Sequence, residues 1–244
     1  LKESLDIPIF HDDQHGTAIV TCAALINAAR ASGKALSDMK VIINGAGAAG
    51  IAIANLLLKL DLDDIIMVDI GGIVFDGDKN LNPAQSEIAK LTNKHCRKGT
   101  LADALNDADA FIGVSRPNLV TADMVGSMGN RPIIFAMANP TPEIMPDVAR
   151  KAGAFIVGTG RSDFPNQINN VLAFPGIFKG ALSVRTREIN DDMNLAAAHA
   201  IARIIPDDEL SREYILPDAF DKRIVDAVSK AVADIAIKSG LSQI

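Results

Sequence analysis

The sequence has no tryptophan, one tyrosine and only two cysteines. With aromatic residues at 4%, its core must be aliphatic. Cys22 and Cys96 have no C-x-x-C spacing and no partner in sequence, so both read as reduced packing residues of a cytoplasmic protein. No apolar run is long enough to cross a bilayer, and no signal peptide is visible. Positive charge is not in excess: 24 Lys and Arg stand against 30 Asp and Glu, a net charge of −6. That balance favours solubility and argues against a general binder of nucleic-acid backbones. Repeats and low-complexity linkers are lacking too. An initiating Met is also absent, and the first residues resemble the end of a polar helix, so the chain is expected to be part of a longer protein.

What remains is 244 residues, 48% of them hydrophobic, enough for one large domain or two small ones. The middle alternates short aliphatic strands with helical stretches. Strands are expected at 39–45, 64–69, 109–115, 131–140 and 154–160, and helices at 48–60, 83–91, 101–108, 121–128 and 145–153. Asn82 and Thr121 read as helix caps, and Gly153 as a stop. Such alternation predicts an α/β fold, a Rossmann-like doubly wound parallel sheet with additional C-terminal helices. An Ala-rich helix over 17–31 precedes it and ends at Gly33, and helices at 176–183, 191–205 and 218–239 follow.

The stretch "VIINGAGAAGIAIANLL" contains Gly45-x-Gly47-x-x-Gly50. It follows a strand and opens a helix, and the next strand ends in an acid, Asp69, nineteen residues after Gly50. This is the arrangement of a dinucleotide site. The loop Gly45, Ala46, Gly47, Ala48, Ala49, Gly50 would give the tight turn, close backbone approach to a pyrophosphate, and close helix packing. The helix N-terminus would supply free N–H groups and positive potential. Asp69 is placed to accept from ribose hydroxyls. Asp76 and Asp78 follow it, with no Lys or Arg before Lys79, which favours NAD over NADP unless Lys79 folds back. The competing reading is a glycine turn in a purely structural α/β unit.

Near the start, "IPIFHDDQHGTAIV" places Asp12 and Asp13 between His11 and His15. Either aspartate can cap the Ala-rich helix. Paired carboxylates also suit a hard cation, Mg²⁺ or Mn²⁺. Zn²⁺ through the two histidines lacks a third nitrogen or sulfur ligand. "AMANPTPE" puts Asn139 at the C-terminal end of a buried strand, the edge where open parallel sheets bind ligands. "PNQINNVLAFPG" carries Asn166, Gln167, Asn169 and Asn170 before an apolar run. These amides suit a carboxylate or amide ligand, or a capped helix and a Pro-terminated strand.

Together, "IPIFHDDQHGTAIV", "NGAGAAG", "FAMANPTPE" and "GTGRSDFPNQINNVLAFPGIFKGAL" resemble the bacterial-type malic enzymes, from about Leu5 to the C-terminus. The resemblance implies oxidative decarboxylation of malate to pyruvate and CO₂, with NAD or NADP and Mg²⁺ or Mn²⁺. It implies Asp13 as a metal ligand, Asp12 beside it in the active site, and Gly45, Gly47, Gly50 and Asp69 as the cofactor loop and ribose acid. Asn139 and Asn170 would contact substrate or nicotinamide, and Ser115 would lie along the nicotinamide ribose. It also implies a 12–170 cofactor domain, with 1–11 and 171–244 packing against an N-terminal substrate domain, and a homodimer or higher oligomer. That substrate domain would hold the family's catalytic Tyr and Lys and its Glu-Asp metal pair. Tyr214 matches no catalytic motif and reads as packing. Malolactic chemistry, or a cofactor-binding module without catalysis, are the alternatives. The chain by itself is expected to bind cofactor and to turn over malate poorly or not at all.

Overall fold

The computed structural model describes residues 7–244, so the expectations for residues 1–6, including the beginning of the 1–11 flank, lie outside the described residues. The chain opens with a π-helical turn, Asp12–Gly16, that runs into α1, Thr17–Ser32. Helix α1 is buried on nearly every side, from Ala18 to Ala29, as expected of a helix apolar all round. Gly33 ends it in the left-handed region at φ 69°, with its N–H bonded back to Arg30. Asn27 sits fully buried in α1. Its amide donates to the carbonyls of Ala202 and Ile215, both at 2.9 Å, which ties the helix to the C-terminal part of the chain.

The alternating segment then delivers β1 (Lys40–Asn44), α2 (Ala48–Leu57) and β2 (Asp64–Asp69). A tight hairpin leads to β3 (Gly72–Ile73), followed by α3 (Pro83–Ala89), α4 (Leu101–Leu105) and β4 (Ala110–Gly113). Next come α5 (Ala122–Gly126), β5 (Ile133–Ala136), α6 (Pro146–Lys151) and β6 (Ile156–Thr159). The strand order is β3-β2-β1-β4-β5-β6, parallel throughout except for β3. This is the Rossmann-like sheet expected from the alternation, although β3 was not foreseen. A two-residue strand has no periodicity to read, and its pairing depends on the Gly71–Gly72 hairpin.

The side chains of each strand divide between two cores. Val41, Ile43, Ile65, Met67, Ile112 and Phe135 face α1, α2 and the C-terminal helices. Ile42, Ile66, Phe111, Ile134 and Val157 face α4, α5 and α6. Period-two alternation with apolar residues at both phases is what a sheet buried on both faces requires. The observed strands are shorter than the expected apolar runs, since pairing ends before the last apolar residue: β5 spans four residues of the 131–140 stretch. The C-terminal helices are α7 (Phe174–Ser183), α8 (Asp191–Ala202) and α9 (Arg223–Lys238). Their buried residues belong to the same core as α1 and one sheet face. Among the described residues no helix is long and apolar enough to cross a membrane.

Cys22 is fully buried in α1, where burial pushes its thiol pKa up. Cys96 departs from its expectation. It is exposed, at φ 48° in a turn whose N–H bonds to Asn93, and so is not a packing residue. Replacing Asn27 by Ala strands two buried carbonyls. Chemical denaturation is expected to show a loss of about 2–4 kcal/mol.

Candidate functional site

The sheet reverses its direction of growth between β1 and β4, so the two loops leaving these strands diverge and open a crevice at their C-terminal ends. The glycine loop occupies this point. Gly45 lies at φ 115°, and a Cβ on it would stand 2.8 Å from the Val114 carbonyl oxygen. A Cβ on Gly50 would stand 1.8 Å from the Gly45 carbonyl oxygen, so helix and strand approach as closely as glycine permits. A Cβ on Gly47 would meet nothing within 4 Å. Gly47 is exposed at the N-terminus of α2, with open space in front of the free N–H groups of the first turn.

Two clefts flank this loop, each of about 440 Å³. The first is lined by Asn44, Val68, Asp69, Gly71, Gly72 and Ser115, among others. Asp69 ends β2 and accepts from the Gln85 amide at 2.6 Å; the same amide reaches the Ala46 carbonyl at 3.2 Å. Gln85 is set by a capping box with Asn82 at the start of α3. It links the acid to the glycine loop, a role invisible in sequence although the Asn82-Pro83-x-Gln85 cap is legible there. Asn44 is buried, and its Nδ2 has no partner within the protein. An orphaned donor beside Asp69 fits a cleft built for a ligand rich in acceptors.

The second cleft is lined by Asp13, Thr17, Ala49, Ser115, Asn139 and Asn170, among others. Ser115 is common to both clefts. Residues far apart in sequence thus converge on one continuous edge. Neither Asp12 nor Asp13 caps a helix: no side chain caps the π turn, which both residues open. Instead the Asn170 amide donates to Asp12 Oδ2 at 2.5 Å, across 158 positions of sequence. Asp12 Oδ1 is buried without a partner, and a Cβ on Gly16 would lie 2.5 Å from it. Burial raises the Asp12 pKa, the Asp13 charge adds to this, and the Asn170 bond opposes it. Asp13 is exposed to the cleft.

The four amides of the 165–176 stretch have separate fates. Asn166 is buried scaffold, donating to the Val157 and Arg212 carbonyls and accepting from the Ile215 N–H. Gln167 donates to the Gly160 carbonyl. Asn169 caps the short turn Asn170–Leu172. Only Asn170, which lines the cleft, reaches a carboxylate, that of Asp12. Asn139 is exposed at its rim beyond the end of β5. Glu143, in the same "NPTPE" stretch, is fully buried and bonds both loops of the cleft, and sequence reasoning gave it no part. Tyr214 lines a separate cavity with Phe164 and Leu216.

Two oxygen donors, one orphaned and one exposed, fit a hard divalent cation in kind. Among the described residues no group of three or more His, Cys, Asp and Glu that could hold a metal ion converges.

The doubly wound sheet and the glycine loop at its switch point define a domain of the dinucleotide-binding class. Comparison with known proteins is more specific. A family described as "Malic enzyme, NAD binding domain" matches residues 14–239. The bifunctional malic/malolactic enzyme of Bacillus subtilis is 57% identical over 245 residues, which cover all of this chain and 60% of that protein. The NAD-dependent malic enzyme of Geobacillus stearothermophilus is 50% identical, over all of this chain and 51% of that protein. The solved structure of the NAD-dependent malic enzyme of Thermotoga maritima superposes with a TM-score of 0.91 at 48% identity, covering 96% of this chain and 61% of that one. Further relatives are named NADP-dependent malic enzymes. The chain belongs to the malic enzyme family, and it spans between half and two thirds of the length of these three relatives.

Gly47→Ala is expected to leave the thermal unfolding midpoint unchanged while weakening NADH binding about tenfold or more, because the methyl enters the space a phosphate needs. Gly50→Ala is expected to lower both stability and affinity. Fluorescence titration and thermal unfolding read the contrast.

Proposed function

We propose that this chain is the cofactor-binding part of an NAD-using malic enzyme, which oxidatively decarboxylates malate to pyruvate and CO₂ with a divalent cation, Mg²⁺ or Mn²⁺. The observation that carries the reading is Ser115, shared by the cleft of Asp69 and the cleft of Asp13, Asn139 and Asn170. A dinucleotide anchored at Asp69, with its pyrophosphate on the α2 N-terminus, would pass Ser115 and bring its nicotinamide to the second cleft.

Within that reading the residues divide the work. Asp69 accepts from the ribose hydroxyls, and Gln85 holds its other oxygen. Asp13 would hold the cation, with Asp12 beside it in the active site. Asn170 orients Asp12, and Asn139 would hold a substrate carboxylate at the rim. A cation held there would supply Lewis-acid chemistry toward the malate C2 oxygen, and a bound dinucleotide would supply the hydride acceptor. Val171, Phe174 and Leu182 are exposed in the 171–244 segment, and Phe10, Phe178 and Phe174 form an aromatic row beside them. This face would pack against the remaining length of the protein.

The preference for NAD rests on charge. The partner of Asp69 is a neutral amide, so a 2′-phosphate would face the Asp69 carboxylate with Arg116 the one cation among the residues lining that cleft. In the full-length protein kcat/KM is expected to favour NAD over NADP by about tenfold or more, as like charges set against each other cost several kcal/mol; a preference for NADP would overturn this. Asp13→Asn is expected to lower malate turnover by about 10²-fold while leaving NADH affinity unchanged, in line with the loss of a metal-holding group. Unimpaired turnover would remove Asp13 from the metal site.

A further inference from the structure

The Glu143 carboxylate is fully buried and has no part in the cofactor and metal contacts above. The β4–β5 ladder explains what it does. Its last residue pair is Gly113 with Ala136, and its last bond runs from the Met137 N–H to the Gly113 carbonyl, at 3.0 Å. Beyond this point the strands part to form the cleft. The next inward N–H groups, those of Ser115 and Ala138, have no carbonyl to meet. Glu143 accepts both: Oε1 from Ser115 at 3.0 Å and Oε2 from Ala138 at 3.0 Å. Its own backbone carbonyl accepts from Val120, and the Pro142 carbonyl from Asn118, which fastens the two loops again further out.

A carboxylate is costly to bury, and this one faces backbone donors rather than a cation. Burial raises its pKa and the two N–H bonds act against that rise. An apolar side chain would fill the space without that cost but would strand two N–H groups. A glutamine offers one acceptor oxygen and one donor amide, so one backbone N–H would face another donor. Only two equivalent acceptors on one stem satisfy both loops. The chain also makes room for them: a Cβ on Gly113 would lie 2.4 Å from Glu143 Cδ.

We propose that Glu143 is a positioning residue for the nicotinamide end of the cofactor, its two carboxylate oxygens bracing the Ser115 loop against the Ala138–Asn139 loop where the sheet ladder has ended. The inference rests on the cofactor reading above. It separates the two halves of the dinucleotide: the adenosine half depends on Asp69 and the glycine loop, the nicotinamide half on the span that Glu143 sets.

The test uses the full-length protein that contains this chain, with NADH and with ADP, which lacks the nicotinamide half, each titrated by calorimetry. Glu143→Gln is expected to weaken NADH about tenfold or more while ADP affinity stays within about twofold, since small displacements of positioning groups carry such penalties. Gly113→Ala keeps the glutamate but pushes its carboxylate aside, and is expected to give the same selective loss. A parent chain that binds neither ligand overturns the cofactor reading itself, before any variant is made. With a parent that binds both, unchanged NADH affinity in Glu143→Gln overturns the role of Glu143. If Glu143→Gln fails to fold or loses both ligands equally, Gly113→Ala decides: selective loss of NADH upholds the bracing role. Equal loss, no loss or failure to fold in that variant reduces Glu143 to scaffold.

Discussion

The contact between the Gly45 carbonyl and Gly50 is the constraint on which the rest of this molecule depends. With only 1.8 Å between that oxygen and the place a Cβ would take, α2 can begin directly at the end of β1. The helix then packs against the sheet and presents its N-terminus at the point where the strand order reverses. A side chain at either position would tilt the helix outward and carry the positive end of its dipole away from the crevice. The position of the loop leaving β4 follows from the same contact, because Val114 and Ser115 lie against Gly45.

Around this point the molecule places carboxylates in three different settings. Asp69 is half-buried and steadied by a neutral amide, with one oxygen free for hydroxyl donors. Asp12 is held by Asn170 on one oxygen and orphaned on the other. Glu143 is fully enclosed and satisfied by backbone alone. One chemical group thus meets three environments, and the difference lies in what each oxygen can reach. Burial raises the pKa of both Asp12 and Glu143, yet the two differ in their unmet demand. The spare oxygen of Asp12 calls for a cation or a donor, whereas Glu143 has none to spare.

The fold was legible because its signals are local. Aliphatic runs such as "VIIN" and "DIIMVD", separated by a helix that opens at a glycine turn, specify strands and helices without long-range information. Gly45-x-Gly47-x-x-Gly50 with Asp69 marked the turn at the sheet's switch point because that geometry is built from a single βαβ unit. The C-terminal helices were legible as helices, but not which core they join. The short β3 was not legible, since its two residues pair only through a hairpin and carry no pattern of their own. The Cys96 thiol was misread because composition suggests burial for cysteine, while a turn at positive φ places it outside.

The sequence by itself determined the class of the sheet, the place of the glycine loop and, through its longer motifs, the family. It could not sort the amides of "PNQINN", because Asn166, Asn169 and Asn170 have the same chemistry and nearly the same neighbours. Only the tertiary structure separated them into scaffold, cap and partner of Asp12, by bringing a turn 158 positions away against one of the three. Likewise Gln85 and Glu143 gained their parts only when α3 met Asp69 and the "NPTPE" loop met Ser115. The physical reason is the same in each case. Backbone conformation follows from local sterics and the period of apolar residues, whereas the work of a polar side chain depends on which donor or acceptor the folded chain brings within about 3 Å of it.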